Sequence, residues 1–356
     1  MAVKRLLVLL LPLLLLLTAA ARAAEVPAAL RDALPEGLAE AAESGGVLAG
    51  GAAWLRETAR ASLDGLLRGA ARNAALLTLA ALLCGAAEGL SGGAGEEAAR
   101  YVPFCGVLAL SAIAAGDLRA LLGLGARTVE ELGTLAKLLL PSMAASMAAG
   151  GMVSSAGIWQ VTTLWVCDLL SDAVARLLLP LVYCQLAAAA AGAALGEESL
   201  DRLAVWIKRL VSGALVAVMA AFTGYLSIAG VLSGSADRTA VRVAKAALSG
   251  GVPVVGGVLS DAAESVLAAA GTLRGTVGAL SVLAILAACL TPLLRLGVQY
   301  ALYQLAAFAA GIAGPKALGK YLERLGDAFA LVFAMTASCA AVLLVALLVA
   351  TSMAAG

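Results

Sequence analysis

Few residues in this chain could do chemistry, and their spacing rules out most reactions. The 356 residues include no histidine, which removes the commonest general base and the commonest metal ligand. No serine or cysteine nucleophile therefore has its usual activator. Asp168 and Asp172 stand four apart, one helical turn, and could form an acid–base pair. With Arg176 a further four on, the same spacing suits an interfacial charge pattern. Gly314-Pro-Lys-Ala-Leu-Gly319-Lys320 has the G-x-x-x-x-G-K spacing of a phosphate loop. Tyr321 follows where a magnesium-binding Ser or Thr is required, and an apolar run stands where a β-strand should precede. Gly314 and Pro315 read instead as the end of that run, with Lys316 and Lys320 anchoring at the headgroups. Cys84, Cys105, Cys167, Cys184, Cys289 and Cys339 all fall in apolar runs without C-x-x-C or zinc-like spacing, so they read as packing residues. A non-enzymatic chain is expected, with no catalytic, cofactor-binding or metal-ligating residues.

The elements that carry these residues are set by composition. The chain is 62% hydrophobic and 13% charged, with a mean hydropathy of +1.00. Ordinary globular domains lie near 45–50% apolar and about 25% charged. The expected fold is an all-α polytopic transmembrane bundle, with the lipid bilayer as its surroundings. A net charge of +1 gives no reason to expect nucleic acid. Residues 1–24 read as a cleavable signal peptide: Lys4 and Arg5, an apolar stretch from Leu6 to Leu17, then small residues.

Residues 25–72 read as an extracytoplasmic amphipathic helical segment. Trp54, Leu55, Leu63, Leu66, Leu67 and Ala70 gather on one face, with Arg56, Arg60, Arg68 and Arg72 mostly off it. Such a helix suits a membrane surface, a partner, or the protein's own bundle. Residues 73–356 form the polytopic membrane domain, with about seven to eight spans. Apolar runs lie at 73–90, 101–116, within 138–167, and at 177–196, 210–236, 275–294, 296–315 and 328–351. A charged helix is expected at 117–134, and Arg295 marks a tight turn between two spans. The positive-inside rule places the basic stretches 237–245 and 316–324 on the cytoplasmic side.

The segment 246–260 departs from a simple span. It is uncharged but interrupted by Gly250, Gly251, Pro253, Gly256 and Gly257. As a helix it would cover only ~22 Å, short of a ~30 Å hydrocarbon core. Irregular backbone at membrane depth persists only where protein buries it or it lines a wet cavity. Arg238, Arg242 and Lys245 precede it on one helical face; Ser260, Asp261 and Glu264 close it. It is the candidate re-entrant segment, either packed or lining a path. Pro141, Gly150, Gly151 and Gly157 mark a candidate counterpart near 141–157, as in transporters built from inverted halves.

The succession Tyr225-Leu-Ser-Ile228, Asp237-Arg-Thr-Ala240, Val252-Pro-Val-Val-Gly-Gly257, Ser260-Asp-Ala262 and Gly275-Thr-Val-Gly278 resembles the stage III sporulation protein AE family. These are polytopic membrane proteins of endospore-forming bacteria. Ser154-Ser-Ala-Gly-Ile158, Pro180 and Asp201-Arg-Leu-Ala204 extend the resemblance over most of 73–356. It implies a non-enzymatic subunit of the mother cell–forespore channel, in the mother-cell membrane surrounding the forespore. The implied partners are the other proteins of the same operon, among them a secretion-type ATPase and ring-forming membrane proteins, and a forespore membrane protein. No catalytic residue carries over. The alternative from another class is a small-molecule permease acting on its own.

Overall fold

The computed structural model describes residues 37–38, 47–91, 96–149, 153–228 and 276–354. The long elements are all helical: α1 (Val47–Ser91), α2 (Glu96–Ala149), α3 (Val153–Ala173), a π-helical turn (Val174–Leu178), α4 (Leu179–Leu195), α5 (Glu198–Ile228), α6 (Thr276–Ala313) and α7 (Lys316–Ala354). Among the described residues, six stretches are long and apolar enough to cross a membrane, α3 and α4 together making one of them. The all-α polytopic bundle is as expected.

Several helices continue where breaks were expected. Arg295 makes no turn; α6 runs through it from Thr276 to Ala313, with Pro292 also inside. One charged residue leaves the backbone hydrogen-bond ladder intact, and its side chain here is exposed. The charged stretch 117–134 is not a separate helix but the middle of α2, which also continues past Pro103 and Pro141. At 54 residues, α2 extends about 81 Å, well beyond a ~30 Å hydrocarbon core. Likewise α1 runs without interruption across residues 72 and 73.

Contacts fix the relative directions of the helices. A side chain at Gly51 would meet Leu283, and one at Gly314 would meet Ala81, so α1 and α6 run the same way. Gly106 lies against Leu318 and Ser111 against Tyr321, so α2 and α7 also run together. Lys137 bonds Asp168, and Gly133 lies near Ser171, so α3 returns along α2. Ser91, Glu96 and the short links at 196–197 and 314–315 consequently share one end of the bundle, the near end. Ile228 and Thr276 both lie at the far end. The sequence reading had put 237–245 on the same side as 316–324. The stretch 237–245 itself lies outside the described residues.

The core is built around α7. Every residue from Leu325 to Ala350 except Val345 is buried. Phe329 and Phe333 are fully enclosed, and the Phe329 ring meets Tyr303 of α6 edge-to-face at 4.8 Å. Glycines admit this closeness: at Gly106 an added Cβ would lie 2.7 Å from Leu318. Exposed Leu76, Leu79, Leu83, Leu305, Phe308 and Ile312 give α1 and α6 an apolar exterior suited to lipid. The first half of α1 packs on the protein's own bundle, with Ala52 and Leu55 buried.

Candidate functional site

Most of the site read from sequence lies outside the described residues. That holds for Arg238, Arg242, Lys245, Gly250, Gly251, Pro253, Gly256, Gly257, Ser260, Asp261 and Glu264. It also holds for Gly150 and Gly151 of the counterpart. Pro141 sits on the exposed side of α2, and Gly157 lies exposed in α3 with open space around it. Asp168 and Asp172 form no dyad: Asp168 pairs with Lys137 at 3.1 Å and Asp172 with Arg176 at 3.5 Å, all four well exposed. The glycines of the phosphate-loop spacing serve a helix turn. A Cβ at Gly314 would lie 2.8 Å from the Ala310 carbonyl, and one at Gly319 would lie 3.1 Å from the Gly311 Cα. Cys167, Cys289 and Cys339 are buried as expected, whereas Cys105 and Cys184 are exposed on their helices and do not serve packing.

Two polar centres do form, and neither was singled out from sequence. The first joins α5 to α7. Lys208 Nζ donates to Asp327 Oδ1 at 2.7 Å, and Arg324 Nη1 donates to Asp327 Oδ2 at 3.3 Å. Arg324 also holds Asp201 through Nε at 2.9 Å and Nη2 at 3.3 Å. Asp327 is buried, so two cations compensate a carboxylate that would otherwise be costly to desolvate. Helical spacing makes this possible. Arg324 and Asp327 are three apart on α7, while Asp201 and Lys208 are seven apart on α5, so each pair shares a face.

Asp201 and Arg324 of this network also line a cavity of about 370 Å³ at the near end, between α4, α5 and α7. Lys316, Lys320 and Tyr321 line it from α7, with Gly192 and Gly196 opposite. Gly196 has φ +72°, the left-handed conformation that closes α4. A Cβ at Gly192 would lie 3.1 Å from the Asp201 backbone nitrogen, so only glycine lets the start of α5 fold back this tightly. Tyr321 OH shares a 2.7 Å hydrogen bond with Ser111 of α2.

The second centre joins α1, α2 and α6 around Asp117. Asn73 Nδ2 donates to both carboxylate oxygens at 3.0 Å. Gln299 Nε2 donates to Oδ2 at 2.6 Å, and Tyr303 OH to the same oxygen at 3.2 Å. All three donors are neutral. Gln299 and Tyr303 are buried, Asp117 and Asn73 half-buried. Deeper in the bundle, the side-chain amide of Gln185 is fully buried and bonds to nothing among the described residues.

Sequence signals for both centres existed. Asp117 follows directly on the run 101–116, and Asp327 directly precedes the run 328–351. Charges at the edges of apolar runs read equally well as headgroup anchors. What makes them centres is that neighbouring helices continue past them. Among the described residues, no group of His, Cys, Asp and Glu is arranged to hold a metal ion.

A family model described as stage III sporulation protein AE matches residues 72–354. A curated relative, the stage III sporulation protein AE of Bacillus subtilis (strain 168), is 24% identical over 169 residues. That match covers 48% of this chain and 42% of the relative, so less than half of the relative's length is represented. No solved structure matches. With the family model spanning nearly the whole helical bundle, the chain belongs to the stage III sporulation protein AE family, and its long apolar helices fit a polytopic membrane protein.

Proposed function

We propose that this protein is a membrane subunit of the mother cell–forespore channel complex required for endospore formation. The family match over 72–354 carries this reading. In this reading it sits in the mother-cell membrane surrounding the forespore. It works with the other proteins of its operon, including a secretion-type ATPase and ring-forming membrane proteins, and with a forespore membrane protein. The enclosed α7 supports a scaffold: it is surrounded by its own chain, leaving the outer helices to meet lipid and partners. A tagged copy isolated from sporulating cells should bring down the other operon products, and its fluorescent fusion should surround the forespore. Uniform membrane fluorescence in vegetative cells, with no co-purifying partners, would remove this proposal.

A small-molecule permease is the second reading, favoured by the Asp117 centre. Ionisable residues held within a helical bundle mark transport paths by default. Substituting Pro253 and Gly256, and separately Asp117, separates the two readings when assembly and solute uptake are both measured. Uptake lost with assembly intact selects the permease; assembly lost first selects the scaffold.

A further inference from the structure

We propose that the near-end cavity between α4, α5 and α7 binds a phosphate group, held by Lys316 and Lys320. The source is either an anionic phospholipid headgroup or a free phosphate ester. This inference is independent of the sporulation reading. It starts from the charges around the cavity. Arg324 is committed to Asp201 and Asp327, and Arg202 to Glu198 at 3.1 Å. Of the lining charges, that leaves Lys316 and Lys320 without an ion pair among the described residues, against the single carboxylate of Glu197. The unmatched charge is therefore positive, on two ammonium groups four apart on one face of α7.

The helix start strengthens the attraction. Pro315 O already accepts the Leu318 and Gly319 N–H groups, at 3.0 and 3.3 Å. The N–H groups of Lys316 and Ala317, both at the cavity, precede any intrahelical acceptor and carry the positive end of the helix dipole. Size and position also agree. A cavity of about 370 Å³ is within the range of small-ligand sites. Leu195, Leu203 and Trp206 are exposed on the two helices, α4 and α5, that also line it. A lipid seated there would place its headgroup among the lysines and its chains along an apolar rim with an interfacial tryptophan. Basic pockets between membrane helices on the cytoplasmic side are suited to such headgroups. The rejected phosphate-loop spacing thus contributes its lysine to a phosphate site of another kind, without a strand or a magnesium hydroxyl.

The test uses the full chain purified in neutral detergent, with binding read by native mass spectrometry. Phosphatidylglycerol is compared with diacylglycerol carrying the same chains, and glycerol 3-phosphate supplies the free ester. Wild-type protein should retain phosphatidylglycerol in preference to diacylglycerol. Lys316→Gln with Lys320→Gln should weaken retention about 25-fold, a factor of about five for each lysine. Lys316→Arg with Lys320→Arg should keep it. The Gln pair breaks no ion pair among the described residues, so its unfolding temperature should match wild type, and a loss of binding reports on the site. Lysine-dependent binding of phosphatidylglycerol alone supports the site and names a lipid as its occupant. Equal lysine-dependent binding of glycerol 3-phosphate supports it and names a soluble ester. Retention of phosphatidylglycerol unchanged in the Gln pair, or no better than diacylglycerol in wild type, overturns it.

Discussion

Asp327 and Asp117 are carboxylates at similar depth in the bundle, held in opposite ways. Asp327 lies 11 residues into α7, and Tyr303, which bonds Asp117, lies ten before the end of α6. Both are therefore about 15–17 Å from the near-end link. Asp327 is buried and shared between two cations, so its centre is balanced charge against charge. Asp117 is half-buried and is met by two amides and a phenol, with no cation among its bonded groups. The first arrangement joins helices, because removing any member strands an opposite charge. The second is held only by uncharged donors, each ending on a carboxylate oxygen. Charge pairs inside the bundle are thus a poor place for a solute to act, and a carboxylate without a bonded cation a better one.

Substitutions can break or sharpen that contrast. The largest effect is expected from Asp327→Ala, which leaves Lys208 and Arg324 without their shared partner and should cost about 3–5 kcal/mol. Unfolding of the purified protein in detergent measures it, and Lys208→Met in the same chain should recover part of the loss. A cost below about 1 kcal/mol would show that water already screens the network. Asp117→Asn preserves shape and one acceptor oxygen, so a smaller loss of about 1–2 kcal/mol is expected. If it proves as damaging as Asp327→Ala, the two centres are alike and the contrast fails. Tyr321→Phe removes the hydrogen bond to Ser111 between α2 and α7 and should cost about 1 kcal/mol. The smallest effect belongs to Arg202→Ala. Its pair with Glu198 has side chains 80% and 79% exposed, and such pairs contribute about 0.5 kcal/mol or less. A larger loss would mean that the cavity edge is more enclosed than its exposure indicates.

Much of the bundle was legible before any coordinates. The apolar runs at 73–90 and 328–351 lie inside α1 and α7, and the described part of the run 210–236, up to Ile228, lies inside α5, because a long apolar stretch has only helix as a satisfied conformation in lipid. The ends were less legible. Arg295, Pro141 and the charges of 117–134 resemble boundaries, yet α6 and α2 run through them. A charged or proline residue stops a helix only when its neighbours also offer a turn or leave the backbone unsupported. Packing against other helices decides that, and single-sequence patterns do not contain it. Gly314-Pro315 did mark a real end, where the chain must reverse in two residues.

The candidate site divides along the same line. The Gly/Pro segment 246–260 was conspicuous from residue types alone, but it lies outside the described residues. The two centres that did form were inconspicuous, because each draws one or two residues from each of several helices: Asn73, Asp117, Gln299 and Tyr303 in one, Asp201, Lys208, Arg324 and Asp327 in the other. By itself the sequence determined a helical membrane chain without histidine, because hydropathy and composition are sums over residues and need no geometry. It also carried the family, in short motifs read along the chain. Only the tertiary structure decided that α7 is enclosed, that Asp327 is paired while Asp117 is not, and that Lys316 and Lys320 face a cavity. Those are distances between helices far apart in sequence, set by how side chains and glycines pack, and no local pattern of residues encodes them.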